Sequence, residues 1–214
     1  MAPRSPLTTP RSPLTTAHSP RALLVLAHPR ADSLTAQLAD RAKQRLTRDG
    51  FGIDLLDLHA EDFAPRMTPA DEPDWADPDK PYSPQVHAHM ARVEAADVIV
   101  VVFPLWWFGL PAVLKGWIDR VWNHGLAYGR SRPPLHGKRM LWLSLVSYGR
   151  EQFTELGWDE VVSRTLREGI SGFCGIHDAV VHFVYESLTA GQQALNTVDP
   201  ALDEVLPPVR TGGN

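Results

Sequence analysis

The stretch "DVIVVVFPLWWFGLPAVLKGWIDRVW" occupies residues 97–122 and holds six of the chain's 18 aromatic residues. It carries no charged side chain over residues 98–114. These 17 uncharged residues fall short of the roughly 18–20 that a membrane-spanning helix needs, and two prolines and a glycine interrupt them. The stretch therefore predicts a buried strand over 98–103, then a loop, then a helix over 110–122 with an apolar face at helical spacing. We expect no membrane insertion.

The rest of the chain alternates short apolar runs with helical patterns, which predicts a parallel sheet. The predicted fold class is α/β, a doubly wound five-stranded parallel sheet with helices on both faces. A loop rich in proline and aspartate is predicted over 60–84. The other predicted strands cover 22–27, 51–60, 138–147 and 177–184. Of the other predicted helices, one begins at Asp32 or Ser33, and three more cover 86–93, 158–168 and 190–205.

Composition excludes several classes of function. The 214 residues are 43% hydrophobic and 21% charged, with a net charge of −4, which is typical of a soluble domain and gives no basis for binding nucleic acid. The one cysteine, Cys174, excludes an internal disulfide, fits a cytoplasmic location and is interpreted as a core thiol. His87 and His89 would diverge on a helix, so no metal site is expected.

The two ends of the chain read differently from its middle. "PRSPLTT" occurs at 3–9 and again at 10–16, and its prolines and missing apolar periodicity predict a disordered tail over 1–20. A frayed end is expected over 207–214. Between them, residues 21–206 are predicted to form one domain.

Three predicted strands end in segments suited to binding a ligand: "AHPRADS", "PLWWFG" and "SLVSYG". Ligands of doubly wound sheets bind beyond the carboxyl ends of the strands, where the strand order reverses. No glycine-rich nucleotide motif follows the first strand, so free N–H groups at the helix start, with the Ser33 and Thr35 hydroxyls, are predicted to bind a phosphate. Peptide groups of 104–108 would contact a flat heterocycle. Trp107 and Phe108 are expected to face the ligand, and Trp106 to contribute mainly its backbone.

Several motifs together resemble the NAD(P)H:quinone oxidoreductase family of the DT-diaphorase type, which has a flavodoxin-like fold. They are "AHPRADSLT", "FPLWWFGLPAVLKGWIDRVW" and "GFCG". "HGLAYG" followed by "PLHGKRMLW" is similar to bacterial relatives, including ancillary oxidoreductases of glutathione-gated potassium efflux. The resemblance covers residues 21 to about 185 in the family's order.

The resemblance implies a bound flavin, FAD or FMN, with NAD(P)H as co-substrate. Hydride would pass through flavin N5 to a quinone or a related electron-poor aromatic acceptor in a two-electron, ping-pong cycle. It also implies a homodimer in which Phe173 often comes from the partner subunit. The candidate residues of the substrate pocket are Trp107, Phe108, Tyr128, Tyr148 and Phe173. The candidate cofactor-binding residues are His28, Asp32, Ser33, Leu34, Thr35, Pro104, Leu105, Trp106, Trp107, Phe108, Ser147, Tyr148 and Gly149.

Two departures from the family leave the catalytic residues unassigned. The loop that reads Thr-Thr-Gly-Gly in the family is Val146-Ser147-Tyr148-Gly149 here, and "REQFTELGWDE" lacks the Tyr and His of the family's charge relay. The loop at 60–84 leaves room for an adenosine contact, which favours FAD, whereas "HGLAYG" favours FMN. A tailoring, nitro or azo reductase, a regulatory subunit of a membrane transporter, and a one-electron flavodoxin are the alternative functions.

Overall fold

The computed structural model describes residues 19–206, which form one five-stranded sheet with all strands parallel. The expectations for the two ends of the chain fall largely on residues 1–18 and 207–214, which lie outside the described residues. The strand order is β2-β1-β3-β4-β5, so the predicted fold class is confirmed. The strands are β1 (Arg21–Leu26), β2 (Gly52–Asp57), β3 (Val98–Pro104), β4 (Arg139–Leu145) and β5 (Asp178–Val184).

Helices cover both faces of the sheet because successive side chains of a strand point to opposite sides. In β1, Leu23 and Val25 pack into one core, whereas Ala22 and Leu24 pack into the other. Every residue of β3 and of β4 is buried, as expected for central parallel strands. The helices are α1 (Leu34–Arg48), α2 (Pro84–Ala95), α3 (Ala112–Val121), α4 (Arg150–Glu155), α5 (Trp158–Arg164) and α6 (Val198–Val205).

The sequence-based helix boundaries are wrong in two places. The helix predicted over 158–168 is preceded by α4 and continues beyond α5 as a π-helical segment, Thr165–Ser171, and a 3₁₀ turn. Gly157, with a φ of 73°, separates α4 from α5 in a left-handed conformation that glycine adopts without strain. The final predicted helix begins instead as a 3₁₀ segment, Gly191–Thr197, before α6.

The loop after β2 is irregular, as predicted, but it packs tightly against the fold. Asp71 is completely buried and accepts hydrogen bonds from Nε and Nη2 of Arg120 on α3, at 3.1 and 2.7 Å. The loop also crosses α3 at Gly116, where an added Cβ would lie 2.2 Å from the carbonyl oxygen of Pro65. Glycine is therefore required at this crossing.

The cysteine and the two histidines discussed above have structural surroundings. Cys174 is buried, which raises the pKa of its thiol to about 12. His87 Nε2 accepts from the backbone N–H of Tyr82 at 3.2 Å. Over the described range 19–206, no three His, Cys, Asp or Glu side chains gather as metal ligands would, and no helix is long and apolar enough to cross a membrane.

Acidification is expected to lower the free energy of unfolding through His89. Burial lowers the pKa of His89, and the indole N–H of Trp117 donates to its Nδ1 at 3.2 Å, an interaction that requires the neutral ring. The unfolded chain then binds a proton that the folded chain does not. Stability is therefore complete above the ordinary histidine pKa of about 6.5 and falls as the pH drops below it.

Urea unfolding of the wild type and of His89→Gln, at neutral pH and about one unit below the ordinary histidine pKa, measures this effect. Glutamine does not titrate and offers a carbonyl oxygen to Trp117, so the variant should lose less stability on acidification than the wild type. Equal losses in the two proteins would assign the pH dependence to other groups.

Candidate active site

A cavity of about 520 Å³ lies at the carboxyl ends of β1, β3 and β4, where the strand order reverses. It therefore occupies the position that the sequence predicts for a ligand. The lining residues come from the carboxyl ends of β3 and β4, from the start of α1 and from the loops after β1, β3, β4 and β5. They are His28, Arg30, Asp32, Ser33, Leu34, Thr35, Pro104, Leu105, Trp106, Leu145, Ser147, Ser187 and Leu188.

The start of α1 forms the polar end of this cavity. Ser33 is the N-cap, and its hydroxyl accepts from the backbone N–H of Ala36 at 3.1 Å. The N–H groups of Leu34 and Thr35, in the first turn of the helix, have no acceptor within the helix. They line the cavity together with the positive end of the helix dipole, which is an arrangement that binds anions.

His28 adds a hydrogen-bond donor to the same end of the cavity. The backbone N–H of Arg30 lies 3.1 Å from His28 Nδ1, closer than the Arg30 carbonyl oxygen at 3.3 Å. This contact favours the tautomer whose proton is on Nε2. Burial lowers the pKa of His28, which favours the neutral ring and leaves Nε2 available to donate to a ligand.

An ion pair lies at the mouth of the cavity. Arg30 donates from Nε and Nη2 to the two carboxylate oxygens of Asp32, both at 3.0 Å. The guanidinium lowers the pKa of Asp32 through these hydrogen bonds, so Asp32 keeps its charge. Because Arg30 compensates that charge, the carboxylate does not repel an anion at the start of α1 as strongly as it would alone.

The loop after β3 is a two-residue hairpin turn. Trp106 and Gly109 exchange two backbone hydrogen bonds of 3.2 and 3.0 Å, with Trp107 and Phe108 between them at φ values of 51° and 57°. Two positive φ values define a type I′ turn, which usually contains asparagine or glycine. Aromatic residues in this conformation cost about 1–3 kcal/mol each, and such strain concentrates at functional sites.

This turn directs the three aromatic side chains differently from the sequence-based expectation. Trp106, expected to contribute mainly its backbone, lines the cavity, and its ring centroid lies 6.0 Å from that of His28. Trp107 is 98% exposed, and Phe108 stacks on Trp158 of α5 at 4.1 Å. The backbone N–H groups of Leu105 and Trp106 already donate to backbone carbonyls. The peptide groups at the tip of the hairpin turn belong to Trp107 and Phe108.

The loop after β4 contributes one residue to the cavity. Ser147 lines it, whereas the Tyr148 ring turns toward Phe108 at 5.9 Å and Phe153 at 6.1 Å. Gly149 is the N-cap of α4. The residue that replaces glycine in this loop therefore packs beside the hairpin turn.

The remaining candidate residues lie in two other places. Phe108 lines a second, apolar cavity of about 220 Å³ between the hairpin turn and the π-helical segment. Tyr128 and Phe173, expected to close the substrate pocket, contact each other with ring centroids 5.0 Å apart. Neither of the two lines the larger cavity.

Sequence reasoning missed four lining residues: Arg30, Leu145, Ser187 and Leu188. Ser187 and Leu188 follow β5, whose carboxyl end lies at the same edge of the sheet as the other three loops. The rule that placed the first three loops would have included this fourth one. Arg30 lies inside the quoted motif "AHPRADS". Its positive charge, two positions before Asp32, was the signal in the sequence that could have identified it as a lining residue.

A family model described as the flavodoxin-like fold matches residues 20–206. The chain belongs to this family. The flavodoxin-like strand order is the one observed here, and its ligand crevice lies between β1 and β3.

Two relatives of the chain carry oxidoreductase names. The chain is 45% identical over 176 residues to the uncharacterized NAD(P)H oxidoreductase YcaK of Escherichia coli K12, covering 82% of this chain and 89% of that protein. It is 31% identical over 188 residues to NAD(P)H dehydrogenase [quinone] 1 of Rattus norvegicus, covering 77% and 68%. General stress protein 14 of Treponema denticola, solved in complex with FMN, has a similar fold with a TM-score of 0.63, at 22% identity and with coverages of 86% and 97%.

Proposed function

We propose that this protein is a flavin-dependent NAD(P)H oxidoreductase that reduces quinones or related electron-poor aromatic compounds. The observation that carries the proposal is the cavity at the β1/β3 crevice, which joins an anion-binding helix start to an indole wall. The names of the relatives, NAD(P)H oxidoreductase and quinone dehydrogenase, support the same reaction class. The single buried thiol fits a cytoplasmic location.

The residues present fit a flavin in this cavity. The N–H groups of Leu34 and Thr35, with His28 Nε2, would hold its phosphate, and Arg30 adds positive charge at the mouth. The loop after β3 and Ser147 would lie along the ring system, with Trp106 as an aromatic wall. FMN is favoured over FAD because the loop after β2, the expected place for an adenosine contact, packs against α3 instead.

The bound flavin would supply the capacity to accept a hydride from NAD(P)H and pass it to the acceptor. The protein's part is positioning. The type I′ turn fixes the loop that would lie along the ring system, and the fully buried strands β3 and β4 anchor that loop. Pro104, Leu105 and Leu145 give the cavity an apolar surface.

The proposal is tested by purifying the protein, releasing any flavin by heat and identifying it by chromatography. Oxidation of NADH and of NADPH is then followed with quinone, nitroaromatic and azo acceptors. We expect a yellow protein whose flavin is FMN and whose quinone turnover depends on it. A colourless protein that does not bind FMN or FAD on reconstitution would refute the proposal.

We further propose a homodimer with its active sites at the interface. The exposed aromatic side chains support it, because Trp107 is 98%, Trp75 70% and Phe173 63% exposed, and aromatic residues are enriched at protein–protein interfaces. Phe173 and Tyr128 would then complete the acceptor pocket of the partner. Light scattering coupled to size-exclusion chromatography should give the mass of two chains, and the mass of one chain would contradict the proposal.

Replacing Trp107 by glycine is expected to reduce turnover while leaving the fold intact. The exposed ring has little packing to lose, and glycine removes the strain of a positive φ, so the free energy of unfolding should stay equal or rise by up to about 1 kcal/mol. Acceptor turnover should fall because, in the proposed function, the exposed Trp107 ring would contact the acceptor. Trp107→Ala, which keeps the strained backbone, is the control and should give the same turnover defect with no stabilisation. A glycine variant that unfolds more easily than the wild type would contradict the expectation that the Trp107 ring contributes little packing.

A further inference from the structure

The long loop after β2 brings a tryptophan to the candidate acceptor residues. Trp75 lies 5.3 Å from His124 and 6.0 Å from Tyr128 between ring centroids, and Tyr128 lies 5.0 Å from Phe173. These four rings, here called the aromatic strip, come from three separate chain segments, because His124 and Tyr128 share the turn after α3. Two of the four were singled out as closing the acceptor pocket, and Trp75 was not.

Hydrogen bonds and close backbone packing hold the aromatic strip in place. The Tyr82 hydroxyl donates to the carbonyl oxygen of His124 at 2.8 Å, and an added Cβ on Gly125 would lie 1.9 Å from the carbonyl oxygen of Pro78. Asn123 donates from Nδ2 to the carbonyl oxygen of Asp71 at 2.6 Å. These contacts fix the long loop on the turn after α3, so Trp75 is exposed on an ordered surface.

Charged and polar groups beside the aromatic strip favour a ligand that is both aromatic and charged. Four exposed carboxylates flank Trp75 within five positions: Glu72, Asp74, Asp77 and Asp79. Arg130 offsets one of them through its pair with Asp79 at 2.6 Å. In addition, Nδ1 of His124 is buried with no hydrogen-bond partner among the described residues, which costs about 1–3 kcal/mol unless a ligand atom supplies one.

We propose that Trp75 is a specificity-determining residue of the acceptor site, and that the strip selects bulky cationic aromatic acceptors over anionic ones. A flat cation stacks on Trp75 through ring overlap and cation–π attraction, and the flanking carboxylates favour its charge. An anionic acceptor meets repulsion from the same carboxylates. This inference rests on the proposed oxidoreductase function, because it assigns the acceptor of that site.

A phenothiazinium dye meets the requirements of this proposal, because it is a flat aromatic cation that accepts a hydride. Methylene blue carries one positive charge, and addition of a hydride at its central ring nitrogen forms an N–H bond and gives the neutral leuco dye. The hydride comes from NAD(P)H, which becomes NAD(P)⁺, so charge and electrons balance without a further reactant. Discharge of the cation also weakens its attraction to the carboxylates, which helps the product to leave.

The test compares the wild type with Trp75→Ala in two measurements. Equilibrium dialysis without NAD(P)H gives the Kd of methylene blue, and steady-state kinetics give kcat/KM for methylene blue, menadione and a naphthoquinone sulfonate. We expect Trp75→Ala to raise the dye's Kd and lower its kcat/KM by about tenfold, with menadione changed by less than about threefold. Leu156→Ala, at another exposed apolar residue, is the matched control and should change neither.

A second variant tests the charges separately. The double variant Asp74→Asn with Asp77→Asn should weaken dye binding by about fivefold and raise kcat/KM for the sulfonate, whereas Asp40→Asn on α1 should change neither. Equal dye binding by the wild type and Trp75→Ala overturns the inference, as does an equal loss for all three acceptors. A wild type that reduces no acceptor refutes the oxidoreductase proposal, whereas dye binding that still depends on Trp75 supports the strip.

Discussion

Replacing Asp71 by alanine is expected to lower the free energy of unfolding by about 3–5 kcal/mol. The variant leaves the guanidinium of Arg120, itself only 4% exposed, without its buried carboxylate. It also removes the acceptor for the backbone N–H of Ser83, the N-cap of α2, at 2.9 Å. Urea unfolding measured by circular dichroism gives the loss directly.

A matched control exists in the same loop. Asp79 pairs with Arg130 at 2.6 Å, but the Asp79 side chain is 78% exposed, so Asp79→Ala should cost less than about 1 kcal/mol. Removing Arg120 and Asp71 together should cost clearly less than the sum of the two single losses, because the second change no longer strands a buried charge. Additive losses would show that the pair contributes no coupling energy to the fold.

Leu34→Pro is expected to weaken flavin binding by about 10- to 150-fold while the helix persists. Leu34 is the first residue of α1, and proline removes the N–H that we assign to the flavin phosphate. Proline fits this position because its fixed φ suits a first helical residue. The preceding Ser33 has φ −70° and ψ 158°, which a residue before proline can adopt. Fluorescence titration of the apoprotein with FMN measures the effect.

Two comparisons separate the lost N–H from other consequences of Leu34→Pro. The protein already starts α2 with Ser83 followed by Pro84, so the same arrangement is compatible with its own helices. Leu34→Ala removes the side chain but keeps the N–H, and should bind FMN nearly as well as the wild type. If the alanine and proline variants bind FMN equally weakly, the side chain and not the backbone donor holds the cofactor.

The sequence predicted the sheet well because its strands are buried on both faces. Continuous apolar runs such as that over residues 98–103 are typical of strands covered on both sides, and proline marked where the chain leaves the sheet. The region after β4 was predicted less well. There the choice between α-helix, π-helix and 3₁₀ turn over 158–174 depends on packing against the sheet, which leaves no distinct periodicity in the sequence.

The same limit applies to the site. The loops that line the cavity could be predicted from the strand ends, because parallel strands bring their carboxyl ends to one edge. Which of three adjacent aromatic rings enters the cavity could not be predicted. The positive φ values at Trp107 and Phe108 turn the chain back after Trp106, and the Trp106 side chain is the one of the three that lines the cavity.

The hairpin turn after β3 also bears on how the acceptor range of such a protein can change. Its shape is set by two backbone hydrogen bonds between Trp106 and Gly109, neither of which involves the Trp107 side chain. Position 107 can therefore accept many residues while the loop keeps its place above the sheet, with glycine and asparagine at the least conformational cost. Natural or selected substitutions at position 107 should alter which molecules the protein reduces. They should not carry the loss of folding stability that accompanies most changes near a binding site.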